Sequence, residues 1–140
     1  MSGPAGGAPL PFTAKTQTVL VVEDDDDART TLAAMVTELG YRVLEAENGV
    51  SALPILEQAR PVNILLSDVI MPGGMSGVDL AKAARKRRPD IRVLFVSGYD
   101  RMAIAQATKY DENLKLLNKP FSLTDLAREL SALVPNPDIS

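Results

Sequence analysis

An alternation of two kinds of apolar segment between residues 18 and 134 constrains this chain more than any other feature. Val19-Leu20-Val21-Val22 is a continuous, β-branched run, the pattern of a strand buried on both faces. Ala28, Leu32, Met35, Val36 and Leu39 then recur at helical spacing, and Gly40 follows as a stop. The change of period repeats along the chain. Residues 42–46, 62–67, 91–97 and 114–117 read as further strands. Residues 76–88 and 123–134 read as amphipathic helices, the second capped by Ser122 and stopped by Pro135. Two stretches are less regular. The helix expected between Asn48 and Ala59 contains Pro54, which falls in the first turn if Ser51 is the N-cap and inside the helix if it starts earlier. Residues 100–110 are weakly helical and carry no firm apolar stripe.

Strands alternating with helices in this way predict an α/β fold with a doubly wound parallel sheet, right-handed crossovers and helices on both faces. For a domain of this size the expected topology is flavodoxin-like, (βα)5 with strand order 2-1-3-4-5. A length of 140 residues, 46% of them apolar, fills one core, expected over 18–134. Residues 1–17, rich in glycine, proline and alanine, read as a flexible leader or linker, and 135–140 as a tail.

Composition then removes whole classes of chemistry. The chain has no histidine and no cysteine. Ser-His-Asp and Cys-His nucleophiles, thiolate chemistry and the usual zinc sites are therefore excluded. If phosphate is held covalently, the acceptor is a carboxylate or a hydroxyl. A net charge of −3 argues against direct nucleic-acid binding. No apolar run approaches the roughly 20 residues of a membrane span, so no direct membrane insertion is expected. The first residues also lack the basic start of a signal peptide.

In such a sheet, ligands bind beyond the carboxyl ends of the strands. The first strand runs into Glu23-Asp24-Asp25-Asp26-Asp27, the third into Asp68, the fourth ends on Ser97, and the fifth runs into Lys119-Pro120. Each has an ordinary explanation taken alone: a helix start, a turn, a surface lysine. Their coincidence at one end of one sheet points to chemistry. Converging carboxylates make a hard-oxygen site suited to Mg²⁺ or Mn²⁺. A further carboxylate can then attack phosphorus while Ser97 hydrogen-bonds one phosphoryl oxygen and Lys119 pairs with another. Those are the parts of phosphoryl transfer to an aspartate. The basic tract Arg85–Arg88 reads as a solvated helix end.

The segments VLVVEDD (19–25), SDVIMPGGMSGVDL (67–80), VLFVSGY (93–99) and LLNKPFSLTDLA (116–127) resemble the signature blocks of response-regulator receiver domains, in order and spacing. The resemblance implies a phosphoacceptor signalling domain of two-component phosphorelays rather than an enzyme, apart from hydrolysis of its own acyl phosphate. It implies Asp68 as phosphoacceptor and metal ligand, Asp24 as a direct ligand, Glu23 as one through water, and the backbone carbonyl of Ile70 as another. Ser97 becomes the switch hydroxyl and Lys119 the phosphate-binding lysine, before a cis Pro120. Asp25 to Asp27 match no required position and stay helix-start acids. Ile70 and Tyr99 take positions that flank the acyl phosphate and tune water access. The blocks are most similar to the C-terminal receivers of bacterial hybrid sensor histidine kinases, and a free-standing receiver is the alternative. The implied partner is a histidine kinase or a histidine phosphotransfer domain, in the cytoplasm, with or without a tether to a membrane-bound or soluble sensor; oligomeric state is open.

One position departs from the family pattern. Three residues before the lysine, where an aromatic side chain is usual, this chain has Leu116. Tyr99 is the expected substitute in the switch. Two other functions compete. A haloacid-dehalogenase-like phosphatase would use Asp24 as nucleophile, but Ala28 fails its D-x-D-x-T/V pattern and no acidic pair follows the fourth strand. A receiver-like interaction module without phosphoryl chemistry would have lost the acceptor, the metal acids or the lysine, and none is lost.

Overall fold

Parallel pairing joins five strands in the order β2-β1-β3-β4-β5, as the period changes predict. The computed structural model describes residues 17–58, 61–71, 74–98, 101–110 and 115–134. The strands are β1 (Thr18–Val22), β2 (Arg42–Ala46), β3 (Ile64–Asp68), β4 (Arg92–Ser97) and β5 (Lys115–Asn118). The helices are α1 (Asp26–Glu38), α2 (Gly49–Glu57), α3 (Gly77–Arg87), α4 (Arg101–Tyr110) and α5 (Leu123–Leu133).

Alternation within the buried strands divides the core into two layers. Leu20, Val22, Leu65, Val93 and Phe95 face α2, α3 and α4, packing with Ala52, Leu56, Leu80, Ala81, Ala84 and Ala107. Val19, Val21, Ile64, Leu66, Leu94 and Val96 face the other way, against Leu32, Val36, Leu126 and Leu130 of α1 and α5. Each large apolar side chain so buried stabilises the fold by about 1.5–3 kcal/mol. The continuous apolar runs follow from this: a strand covered on both faces has no solvent side on which to place polar residues.

The helices begin where side chains can satisfy their first N–H groups. Asp25 caps α1 by accepting from the Ala28 N–H at 2.8 Å, and Asp26 and Asp27 occupy its first turn. Ser76 and Ser122 form reciprocal capping boxes with Asp79 and Asp125. In α2 the cap is Asn48 rather than Ser51. The Asn48 side chain accepts from the Ser51 N–H at 2.8 Å, and Ser51 returns the bond as the third helical residue. This start turns Gly49, Ala52 and Leu56 to the core, and Pro54 accordingly lies inside the helix.

The bounds of the third strand and the reading of the basic tract differ from expectation. The third strand runs Ile64–Asp68 rather than 62–67, taking in Asp68 as its last residue, while Asn63 accepts from the Thr18 N–H at 2.8 Å. The segment 101–110 is a helix despite its weak pattern, because Ala107 and Tyr110 are enough to hold it to the core. Leu114 and Pro135, read as a strand start and a helix stop, lie outside the described residues. The basic end of α3 is not merely solvated: Arg87 Nε meets Glu57 Oε2 at 2.9 Å, and Arg88 donates to the carbonyls of Leu56 and Gln58. Arg85 donates to the Tyr110 hydroxyl at 2.6 Å. These arginines tie α3 to α2 and α4.

Candidate functional site

The sheet's register brings the candidate residues together. Val22 pairs with Ser67, Ser67 with Phe95, Asp68 with Val96, and Ser97 with Asn118. Glu23 and Asp68 therefore lie level, with Ser97 one residue and Lys119 two residues further along, all at the same end of the sheet.

At the centre is the Lys119 ammonium, whose Nζ lies 3.1 Å from Glu23 Oε1 and 3.0 Å from Asp68 Oδ2. Glu23 is only 3% exposed, an unusual place for a carboxylate without compensation. Besides Lys119 it accepts from the Asp25 N–H through Oε2 at 3.1 Å. Lys119 is held in turn by its own backbone, whose N–H donates to the Ser97 carbonyl at 2.7 Å. The Lys119–Pro120 peptide bond is cis, as expected. Ser97 is buried at the end of β4.

One oxygen from each of Glu23, Asp24 and Asp68 lies within 4.8 Å of the others. Oxygen donors alone, converging from two adjacent strands, fit a hard divalent cation and offer nothing to a soft one. Partial desolvation first, and the neighbouring Glu23 second, hold the Asp24 carboxyl above its ordinary pKa. For Lys119, burial opposes the charge, but Asp68 and Glu23 outweigh it and raise the pKa. The cluster thus has an excess of negative charge that one lysine only partly offsets.

A stability prediction follows from the sign of the Asp24 shift. A carboxyl whose folded pKa is raised binds its proton more tightly when folded, so it costs stability as pH rises through that pKa. Asp24→Asn is expected to raise the melting temperature at neutral pH in EDTA by a few degrees. If the cluster of Glu23, Asp24 and Asp68 holds a divalent cation, saturating Mg²⁺ should remove or reverse the gain, because the variant lacks one of the candidate ligands; equal gains in both conditions would contradict it.

The end of β3 at Asp68 is packed from below. The Asp68 carbonyl accepts from the Ser67 hydroxyl at 2.9 Å, and the Gly77 N–H donates to the Val69 carbonyl at 2.8 Å. A Cβ at Gly77 would stand 2.1 Å from the Asp68 carbonyl oxygen, so only glycine allows α3 to start there. Ile70 follows in the loop with half its surface exposed. Leu116 packs half-buried against the core. Tyr99 lies outside the described residues.

Sequence reading passed over Ser67, Gly77, Arg29 and a groove of about 470 Å³ beside the cluster. The groove runs from Glu23 and Lys119 between Ala28, Thr31, Leu32 and Met35 of α1 and the segment Pro120–Phe121. Met35, expected on the core stripe of α1, packs partly buried against that core layer and also lines the groove, beside the buried Leu32, Ala33 and Val36. A stripe wider than its core contact was the available signal.

The profile of the response regulator receiver domain matches residues 19–131. Among known proteins the chain is 34% identical over 116 residues to the response regulator receiver protein CpdR of Brucella abortus, covering 83% of this chain and 95% of that protein. It is 42% identical over 122 residues to the sensor kinase CckA of the same organism, covering 86% of this chain but only 13% of that protein. The solved receiver domain of the hybrid histidine kinase CckA superposes with a TM-score of 0.69 at 35% identity, covering 84% of this chain and 99% of that one. A receiver domain from Clostridium thermocellum superposes at 0.76 with 21% identity, a likeness of fold, over 88% of this chain and 98% of that one.

Proposed function

This chain belongs to the response regulator receiver family of two-component signalling, and from that premise we propose that it accepts a phosphoryl group on Asp68 from a phosphohistidine, with a divalent cation bound beside it. The carrying observation is Lys119 bridging Glu23 and Asp68 within the cluster that also holds Asp24. An Asp68 carboxylate oxygen attacks phosphorus, the new O–P bond forming as the donor's N–P bond breaks and the departing imidazole keeps the electron pair. Glu23, Asp24 and Asp68, with the Ile70 carbonyl, are the residues that would hold Mg²⁺ or Mn²⁺. When bound, such a cation neutralises charge on the phosphoryl oxygens. Lys119 sits where it can pair with one phosphoryl oxygen, and Ser97 is the hydroxyl proposed to close on another.

The donor is read as a histidine kinase or a histidine phosphotransfer domain. The 42% identity to CckA supports the reading as a hybrid-kinase receiver, and the near full-length match to CpdR supports a free-standing one. The groove along α1, with its apolar walls and acidic mouth, suits a helix that presents the phosphohistidine. Among the described residues no helix is long and apolar enough to cross a membrane.

Incubation with acetyl phosphate and Mg²⁺ tests the proposal. The wild type should gain one phosphoryl group in intact-mass spectra, and Asp68→Asn or an excess of EDTA should abolish the gain. Persistence of labelling in Asp68→Asn would sink it and reopen the phosphatase-like use of Asp24. A wild type that binds no Mg²⁺ and takes no label would favour the pure interaction module.

Lifetime is the second expectation. Ile70 places an apolar side chain beside the acyl phosphate, where an amide could instead orient water. Ile70→Asn should hydrolyse its phosphoryl group several-fold faster than wild type in a phosphate-release assay; equal rates would refute the role of this position.

A further inference from the structure

Arg29 is a cation in the opening turn of α1, the end of a helix where the backbone dipole disfavours positive charge. Its side chain is nonetheless only 17% exposed, and its guanidinium reaches three partners on three different segments. NH1 donates to the Glu23 carbonyl at 2.9 Å, NH2 meets Asp26 Oδ1 at 2.6 Å, and Nε lies 3.5 Å from Glu45 Oε1 on β2. The first of these contacts goes to the backbone rather than to any acid, so charge pairing alone does not explain it.

We propose that Arg29 is a positioning residue for the acidic pair, fixing the backbone between β1 and α1 so that Glu23 and Asp24 present their carboxylates toward Asp68. This rests on the reading that those three acids hold a divalent cation. With Arg29 in place the whole turn is pinned. The Glu23 N–H donates to the Ala46 carbonyl at 3.2 Å, its carbonyl accepts from Arg29, and its side chain accepts from Asp25 and Lys119. Asp25 caps α1 and its carbonyl accepts from the Arg29 N–H at 2.8 Å. Asp24 lies between two anchored neighbours, and its direction is inherited from them. Five consecutive acids would otherwise repel one another and spread this turn. The planar fork also matters: a single ammonium cannot serve a carbonyl and two carboxylates in three directions at once.

Charge and position make opposite predictions, and that separates them. A guanidinium near a cation site weakens metal binding by repulsion, so removing it should strengthen binding if charge is all that counts. If it positions the ligands, its loss weakens binding. The test is calorimetric titration of the full chain with Mg²⁺ for wild type, Arg29→Lys, Arg29→Met and the distant control Arg87→Met, each at a temperature where thermal melts show it folded. The expected result is a dissociation constant raised about tenfold in both Arg29 variants, including the one that keeps the charge, and unchanged in Arg87→Met. Arg29→Lys binding as tightly as wild type, or Arg29→Met binding more tightly, would overturn the proposal. Failure of the wild type itself to bind Mg²⁺ would instead overturn the reading of the acidic cluster, and this inference with it.

Discussion

Replacing Lys119 with methionine is expected to slow phosphoryl uptake from acetyl phosphate by about a hundredfold, the usual cost of removing one preorganised charge from a transition state. Methionine keeps most of the apolar stem, so the change is chiefly the loss of an ammonium 3.0 Å from Asp68 and 3.1 Å from Glu23. Stability should fall too. The Glu23 side chain, 4% exposed, would lose its only cationic partner among the described residues. Breaking a buried ion pair costs about 3–5 kcal/mol, and because the Lys119 side chain is itself 36% exposed, about 1–3 kcal/mol is expected here in EDTA. Saturating Mg²⁺ should recover part of it by supplying positive charge to the same oxygens.

The pH dependence has a definite sign. The Lys119 pKa is raised in the fold, so its contribution is complete below its ordinary value near 10.5 and disappears only as pH rises through the folded value. The stability gap between wild type and Lys119→Met should therefore stay level across the neutral range and close only in strong alkali. Equilibrium unfolding in EDTA at several pH values measures this, and a gap that closes near neutrality would contradict it.

Gly77→Ala is expected to cost about 3 kcal/mol and to impair phosphoryl uptake beyond the fraction that unfolds. The added methyl would meet the Asp68 carbonyl oxygen at 2.1 Å, the Val69 Cα at 2.9 Å and the Asp68 carbonyl carbon at 3.0 Å. All three are backbone atoms at the end of a central strand, and none can swing aside as a side chain does. Relief requires α3 to retreat or Asp68 to move, and the second displaces the carboxylate from Lys119 and Asp24. Gly49→Ala provides the comparison. Its Cβ would meet Sδ of Met75 at 2.5 Å, the far end of a flexible side chain, and should cost markedly less. Unfolding midpoints and labelling rates of both variants decide the matter; similar losses at the two positions would show that backbone contact at Asp68 is not what makes Gly77 necessary.

Where meaning is carried by local pattern, the sequence was readable. Strands covered on both faces show as unbroken apolar runs, and β1 and the buried part of β3 appear as such. The site was readable for a related reason. In a parallel sheet every strand points the same way, so the residues after each strand must meet at one edge, and Glu23, Asp68, Ser97 and Lys119 do. What stayed hidden depends on partners distant in sequence. Arg88 and Arg87 look like a solvated basic tail until α2 is placed 30 or more residues earlier beside them. Gly77 looks like one more turn glycine until the Asp68 carbonyl is found against it. Arg29 resembles any helix-surface arginine until its side chain is seen folded back on the strand end. The start of α2 stayed open between two positions because Asn48 and Ser51 are both good caps, and the start at Asn48 is the one that buries Ala52 and Leu56.

Asp68 as the residue that carries phosphate is the central claim, and chemical trapping tests it most directly. After incubation with acetyl phosphate and Mg²⁺, borohydride reduces an aspartyl phosphate to homoserine, and peptide mass spectrometry then locates the reduced residue. The account predicts homoserine at position 68 and at no other acid of the 23–27 run. Homoserine at 24, or at any acid other than 68, would contradict it.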